Sequence, residues 1–226
     1  MQDRVFTFFG LIGGHGQDWM ITSHMVLTIA IVLLLAILAV KKLQLVPGGL
    51  QNLMEFYLKG AIAMGSDTMG EENARRFIPL IATLGLIIFI ANMMGIVPGF
   101  ESATANINFT LALALIVFVY YNFIAISKHG VFKYLKHFMG PMPILAPLMF
   151  PIEIVSHISR IVSLSFRLFG AVKGDDMFLL VLLMLTPWII PISGFALLFA
   201  FGILQTFIFM MLTYVYIAGA LEIDNH

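Results

Sequence analysis

The 226-residue sequence contains no cysteine, which excludes disulfides, thiolate metal sites and cysteine nucleophiles in one step. Charge is scarce: Asp, Glu, Lys and Arg make up 11% of the residues, against about 25% in an ordinary soluble domain. Neither sign is in excess. Twelve basic side chains balance twelve acidic ones, so no bulk field points to nucleic acid or to an acidic substrate. Internal repeats, low-complexity tracts and a separate soluble domain are also missing, and one integral membrane domain over residues 1–226 is expected. The stretch Gly13, Gly14, His15, Gly16, Gln17 and Asp18 offers no small-residue cleavage pattern, so no signal peptide is expected. Neither H-E-x-x-H nor G-x-S-x-G occurs, which removes two common hydrolase signatures. We expect no bond chemistry, no metal and no other cofactor.

What the chain has instead is apolar length. It is 61% hydrophobic, with a mean hydropathy of +1.01. Runs long enough to cross a bilayer, which takes about 20 residues, lie at Thr22–Val40, Phe77–Val97 and Phe109–Ile126. Two longer stretches, Leu145–Val172 and Met177–Leu221, meet around Thr186-Pro187-Trp188-Ile189-Ile190-Pro191 and read as a helical hairpin with a proline-marked turn. From Pro191 to Leu221 an unbroken helix would measure about 46 Å, against a hydrocarbon core of about 30 Å, so it must lie well off the membrane normal. Val46–Gly70 is too polar to span and is expected to hold a surface helix on the cytoplasmic side. The predicted fold is an all-α integral membrane protein with about five crossings, the last two forming a long, strongly tilted hairpin. Orientation follows from the loops. Lys41, Lys42, Arg75, Arg76, Lys128, Lys133 and Lys136 mark cytoplasmic connections, whereas Gly99–Asn108 carries Glu101 and no basic residue. The N-terminus is therefore expected outside and Glu222–His226 in the cytoplasm.

Against this background Arg167 is conspicuous, because a guanidinium stays protonated and costs roughly 2.5–3.5 kcal/mol near a bilayer centre even on insertion scales. Glu153, Arg160 and Arg167 recur at seven-residue steps and form one polar stripe, with Ser156, His157 and Ser163 beside it. Asp175 and Asp176 follow Arg167 about 13 Å further along a helix. Carboxylates thus lie on both sides of a fixed positive charge, an arrangement suited to two aqueous paths with a block between them. A turn at Thr186 would set Arg167 and Gln205 at one depth. Plainer readings stand beside these: Arg167 paired with Asp176 within the chain, Gln205 as a helix-packing amide, and Arg160 on a lipid phosphate or Glu153. Likewise His157 reads as a local partner, Asn92 as a group satisfying backbone near Gly95 and Pro98, and His15 and His24 as solvated residues near the outer surface.

Arg167-Leu168-Phe169-Gly170 and Leu204-Gln205-Thr206-Phe207-Ile208-Phe209, with Pro47-Gly48-x-Leu50-Gln51-Asn52 and Asn92-x5-Pro98, resemble the subunit a family of rotary F-type ATP synthases of bacterial type. The resemblance covers nearly the whole chain. It implies a non-catalytic stator subunit of the Fo sector in the bacterial inner membrane, with partners in the ring of c subunits, the subunit b peripheral stalk and the F1 sector. It implies that Arg167 is the essential stator charge facing the ring and Gln205 its neighbour. By the same resemblance Asp176 belongs to an outer half-channel, and Glu153, Ser156 and Ser163 to an inner one, with Asn92, His157 and Arg160 as possible supports.

The chain departs from that family's pattern at three positions. Ala171 stands where relatives have asparagine after the arginine motif, Leu198 where a histidine can precede the glutamine, and Gly95 where an acidic residue follows the asparagine. No proton-carrying role is assigned to these three, which shifts the outer path onto Asp175 and Asp176. The sequence leaves H+ and Na+ undistinguished. The alternative function class is an ion-coupled secondary transporter, though the paired repeats expected of one are not visible.

Overall fold

The computed structural model describes residues 17–41, 48–97, 99–130, 134, 146–185 and 190–221. The described residues form six α-helices and no strand: α1 (Gln17–Val40), α2 (Gly49–Met69), α3 (Glu71–Ile96), α4 (Ile107–His129), α5 (Ala146–Leu185) and α6 (Ile190–Leu221), with a 3-10 turn at Ala103–Ala105. Four segments are long and apolar enough to cross a membrane: Ile21–Val40, Glu71–Ile96, Ile107–His129 and Ser193–Leu221. The helix α5 has the length but carries Glu153, Arg160, Arg167, Lys173, Asp175 and Asp176. All-α integral membrane architecture is what such a composition dictates, because a helix satisfies its own backbone groups in lipid. The expected turn at Thr186 and the residues His15 and Glu222–His226 lie outside the described residues.

Helix α6 occupies the centre, packed against α2, α3, α4 and α5, while α5 lies on α4, α6 and the 3-10 turn. The core cluster runs through Ile81, Ile88, Val117, Leu168, Phe209, Met210, Tyr214 and Ile217. Too polar to be a span, α2 is nonetheless docked to the bundle by two tyrosines. Tyr57 donates to the Ala82 carbonyl at 2.8 Å, and the fully buried Tyr214 donates to the Ala61 carbonyl at 3.0 Å. Gly65 makes room for that second ring, since a Cβ there would lie 2.5 Å from Tyr214 Cε1. Between α2 and α3 the chain turns at Gly70 with φ 82°, a left-handed value that favours glycine.

Two sequence expectations change. The break in apolar character at Lys173–Asp176 does not break the helix: α5 continues unbroken to Leu185, some 40 residues or about 60 Å. Charged side chains lower hydropathy without disfavouring helix, and Lys173 and Asp176 pair on it at 3.7 Å. The arm bounded at 145–172 is therefore longer, and the arm given as 177–221 starts at Ile190. His24 is not solvated either. It is 1% exposed, set edge-on against Phe100 at 6.1 Å, on the face of α1 whose Thr28 reaches Met94 Sδ at 3.4 Å.

Candidate functional site

Arg167 lies near the middle of α5 on an exposed face. Its sequence neighbours Leu164, Ser165 and Leu168 are buried, and Ser165 Oγ sits 3.1 Å from Thr110 Oγ1 on α4, so the helix is anchored by the opposite side. Ser163, Arg167, Gly170 and Gly174 recur at helical spacing and are all exposed, and among the described residues nothing beyond the local helix backbone comes within 4 Å of where a Cβ on Gly170 or Gly174 would stand. Apolar Phe166, Leu204 and Phe207 are exposed as well. Among the described residues Arg167 makes no hydrogen bond or ion pair. The pairing with Asp176 inside the chain is not formed, because that carboxylate is held by Lys173, one helical turn away on the same helix.

On the C-terminal side of Arg167 a cleft of about 370 Å³, part of it open to the exterior, runs between α3, α5 and α6. Asp175 and Asp176 line it together with Asn92, Gln205 and Ser102. So do Ala171, Leu198 and Gly95, the three positions at which the chain departs from the resembled pattern. Gly95 has a local reason. A Cβ there would come 2.7 Å from the Ser102 Cβ, so the serine of the connecting loop fills the space a side chain on α3 would need. Ser102 Oγ donates to the Ala91 carbonyl at 2.8 Å and lies 2.6 Å from Thr104 Oγ1, which lies 2.7 Å from the Asn92 amide. Asn92 is thus tied to a loop hydroxyl and not to backbone near Gly95. Nothing in the local sequence of the Gly99–Asn108 loop marks Ser102 and Thr104, because their partners Ala91 and Asn92 lie on α3.

On the N-terminal side of Arg167 a second polar group forms where α5 meets α4. Glu153 Oε1 lies 3.4 Å from His157 Nε2, and His157 Nδ1 lies 2.8 Å from the Tyr121 hydroxyl. His157 therefore has partners through both ring nitrogens, one on α5 and one on α4. Arg160 is half-buried and lies over two tyrosine rings, Tyr121 at 6.0 Å and Tyr216 at 5.6 Å from its guanidinium carbon. It forms no ion pair with Glu153 among the described residues, and cation–π attraction contributes to its place. The seven-residue stripe consequently splits: Arg160 turns toward α4 and α6, while Arg167 faces out. Nothing in the apolar pattern of α4 or α6 marks the two tyrosines. Ser156 is half-buried and Ser163 exposed.

Gln205 is buried at 7% exposure and lines the cleft from α6. The side-by-side placement with Arg167 is corrected by the hairpin's register. Helix ends at Leu185 and Ile190, the packing of Leu182 on Gly194 and the reach of Arg160 to Tyr216 all centre the hairpin near position 188, about two residues past the expected turn. Gln205 is then level with Gly170 and Ala171, about one helical turn from Arg167. A depth pairing counted from the prolines is offset because helices start and stop within a residue or two of such signals.

The family model of the ATP synthase A chain matches residues 22–218. The chain belongs to that family. It is 65% identical to the ATP synthase subunit a of Aliarcobacter butzleri over 225 residues, covering 100% of this chain and 99% of the relative. Identity to the subunit a of a Nitratiruptor species is 62%, with 96% of each chain covered. To that of Campylobacter curvus it is 58%, with 98% of this chain and 99% of the relative covered. Membership in the ATP synthase A chain family carries the stator's part in proton translocation in the membrane sector, and the secondary-transporter alternative is not favoured. In this chain the cleft at Asp175 and Asp176 and the group at Glu153 are two polar regions to either side of the exposed arginine.

Proposed function

We propose that this chain provides two offset half-channels to a rotating ring of c subunits, with Arg167 as the fixed charge between them. Arg167 carries the reading: a permanent cation, exposed on an apolar helix without a partner among the described residues, needs an anion from outside the chain. The face of Ser163, Arg167, Gly170 and Gly174 supports a closely approaching helix, because small residues let backbones come near. Ring carboxylates passing Arg167 would be held ionised by it, since an adjacent opposite charge favours the charged form. Protons enter from the outer side through the cleft of Asp175 and Asp176, neutralise a ring carboxylate, and leave after nearly a full rotation past Glu153, Ser156 and Ser163. Gln205, on the cleft wall one turn from Arg167, borders the point where a ring carboxylate meets the outer path.

On this reading the subunit makes and breaks no covalent bond itself. Its partners are the c ring, the subunit b stalk and, through the assembled complex, F1. It sits in the bacterial inner membrane with the N-terminus outside and the C-terminus in the cytoplasm. The test is one-sided labelling. Ala171→Cys lines the cleft, and Ser156→Cys and Ser163→Cys stand on the other path; the native chain supplies no background thiol. A membrane-impermeant thiol reagent should modify Ala171→Cys only from outside and the two serine replacements only from inside, because only water-lined positions form reactive thiolate. Equal labelling of all three from both faces would mean one continuous pore and sink the two-path reading.

A further inference from the structure

The contacts of Tyr121 with His157 and of Thr110 with Ser165 set α4 antiparallel to α5, and one hydroxyl on α4 gathers the polar groups of the inner side. Tyr121 is 2% exposed, and its oxygen lies 2.8 Å from His157 Nδ1. The Arg160 guanidinium and the Asn122 amide lie beside the same hydroxyl. A guanidinium can only donate. Asn122 is committed as well: its oxygen accepts from the Tyr134 hydroxyl and its nitrogen donates to the Phe118 carbonyl at 2.7 Å, which leaves its second N–H for Tyr121. The Tyr121 oxygen is therefore met by donors, and its own single proton goes to His157 Nδ1. That choice fixes a tautomer. With Nδ1 accepting, the one proton of a neutral imidazole sits on Nε2, the nitrogen 3.4 Å from Glu153 Oε1. The opposite tautomer would aim a lone pair at the carboxylate.

We propose that Tyr121 is a positioning residue of the inner path, which through His157 holds one oxygen of the Glu153 carboxylate and leaves the other to meet protons coming from the ring. This rests on the half-channel reading of Glu153 and adds what sets that side chain in place. The Glu153 side chain is 31% exposed, too open for packing alone to orient it, and the imidazole one helical turn away supplies a directed N–H. His157 is then a donor and not a carrier. Its Nε2 already holds a proton, and its Nδ1 is closed by a tyrosine whose oxygen faces the Arg160 guanidinium. The charged and titratable groups around this node, among the described residues, are Glu153 and Arg160 on α5, Tyr134 beyond the end of α4, and Tyr216 on α6.

The experiment uses the assembled synthase in membrane vesicles, with the rate of proton-driven ATP synthesis as the readout. His157→Leu removes both ring contacts and should lower the rate roughly fivefold to tenfold, the loss of about one charge-assisted bond. His157→Gln offers a carbonyl to Tyr121 and an N–H to Glu153 without an ionisable ring, and should recover most of what His157→Leu loses. Tyr121→Phe should lower the rate roughly threefold. Combined with Glu153→Gln it should add nothing to the loss that Glu153→Gln causes alone, because Tyr121 acts through that carboxylate; a packing defect would multiply the two losses instead. His157→Gln no faster than His157→Leu overturns the proposal, since the imidazole would then be carrying the proton. A wild-type rate for His157→Leu or Tyr121→Phe, or multiplied losses in the double variant, overturns it as well. If Tyr121→Phe fails to assemble, or Glu153→Gln leaves no measurable rate, the comparison of His157→Gln with His157→Leu decides. Inside-only labelling of Ser156→Cys, measured separately, belongs to the half-channel reading, so failure of one reading is told from failure of the other.

Discussion

Arg167 makes no hydrogen bond or ion pair among the described residues, and that isolation is what makes its replacement informative. Removing it takes away no hydrogen bond or ion pair among the described residues, so Arg167→Ala should assemble normally and lose coupled transport altogether. Wild-type-like synthesis in that variant would remove the arginine from the mechanism. Arg167→Lys should be nearly as inactive, since an ammonium is a compact donor whose charge is lost more readily on desolvation. Tyr214 is the contrary case at the same scale. Its hydroxyl is fully buried on the Ala61 carbonyl, and Tyr214→Phe leaves that acceptor without its donor, at about 1–3 kcal/mol. The expected outcome is a lower unfolding temperature of the purified complex and faster proteolysis of α2, with the pH dependence of transport unchanged.

Among the helices, the hairpin of α5 and α6 sets which groups share a depth. With its centre near position 188, a cysteine pair at Ala171 and Gln205 should form a disulfide, while one at Arg167 and Gln205 should not, because Cα atoms more than about 7 Å apart cannot be bridged without backbone movement. Efficient crosslinking of the second pair and none of the first would restore the turn at Thr186. The outer face of α5 permits a sharper experiment. Space beside Gly170 and Gly174 is empty among the described residues, so Gly170→Leu and Gly174→Leu should fold and reach the membrane in normal amounts. They should nevertheless slow rotation-coupled transport by an order of magnitude or more if a ring helix passes close to this face, as helix contacts built on small residues require. Unaltered transport in both would place the moving partner elsewhere.

At the scale of the molecule, the two polar regions are built differently, and this bears on how each is reached. The cleft at Asp175 is framed by three helices and a loop, and all three positions with reduced polarity, Gly95, Ala171 and Leu198, line it. The group at Glu153 is a compact set of paired side chains across α4 and α5, capped by the Arg160 guanidinium over two tyrosines. In the assembled complex, uptake of ions driven by ATP should proceed without sodium, and a strict requirement for sodium would reassign the ion.

Much of this protein was legible from one dimension. Hydropathy and helix length are local sums over neighbouring residues, so the α-helical membrane class and four of the crossings follow from composition alone. The position of Arg167 within an apolar helix is likewise a local fact, as is the presence of carboxylates on both sides of it. Depth between helices is not local. Whether Gln205 stands beside Arg167 or beside Ala171 depends on where two helices end and how Leu182 packs on Gly194, which no spacing within one helix contains. Burial of His24, the tyrosines around Arg160 and the loop hydroxyls behind Asn92 belong to the same class: each joins residues on different elements. The tertiary structure alone decided them, because a polar group in a membrane bundle is assigned its role by whichever helix comes to face it.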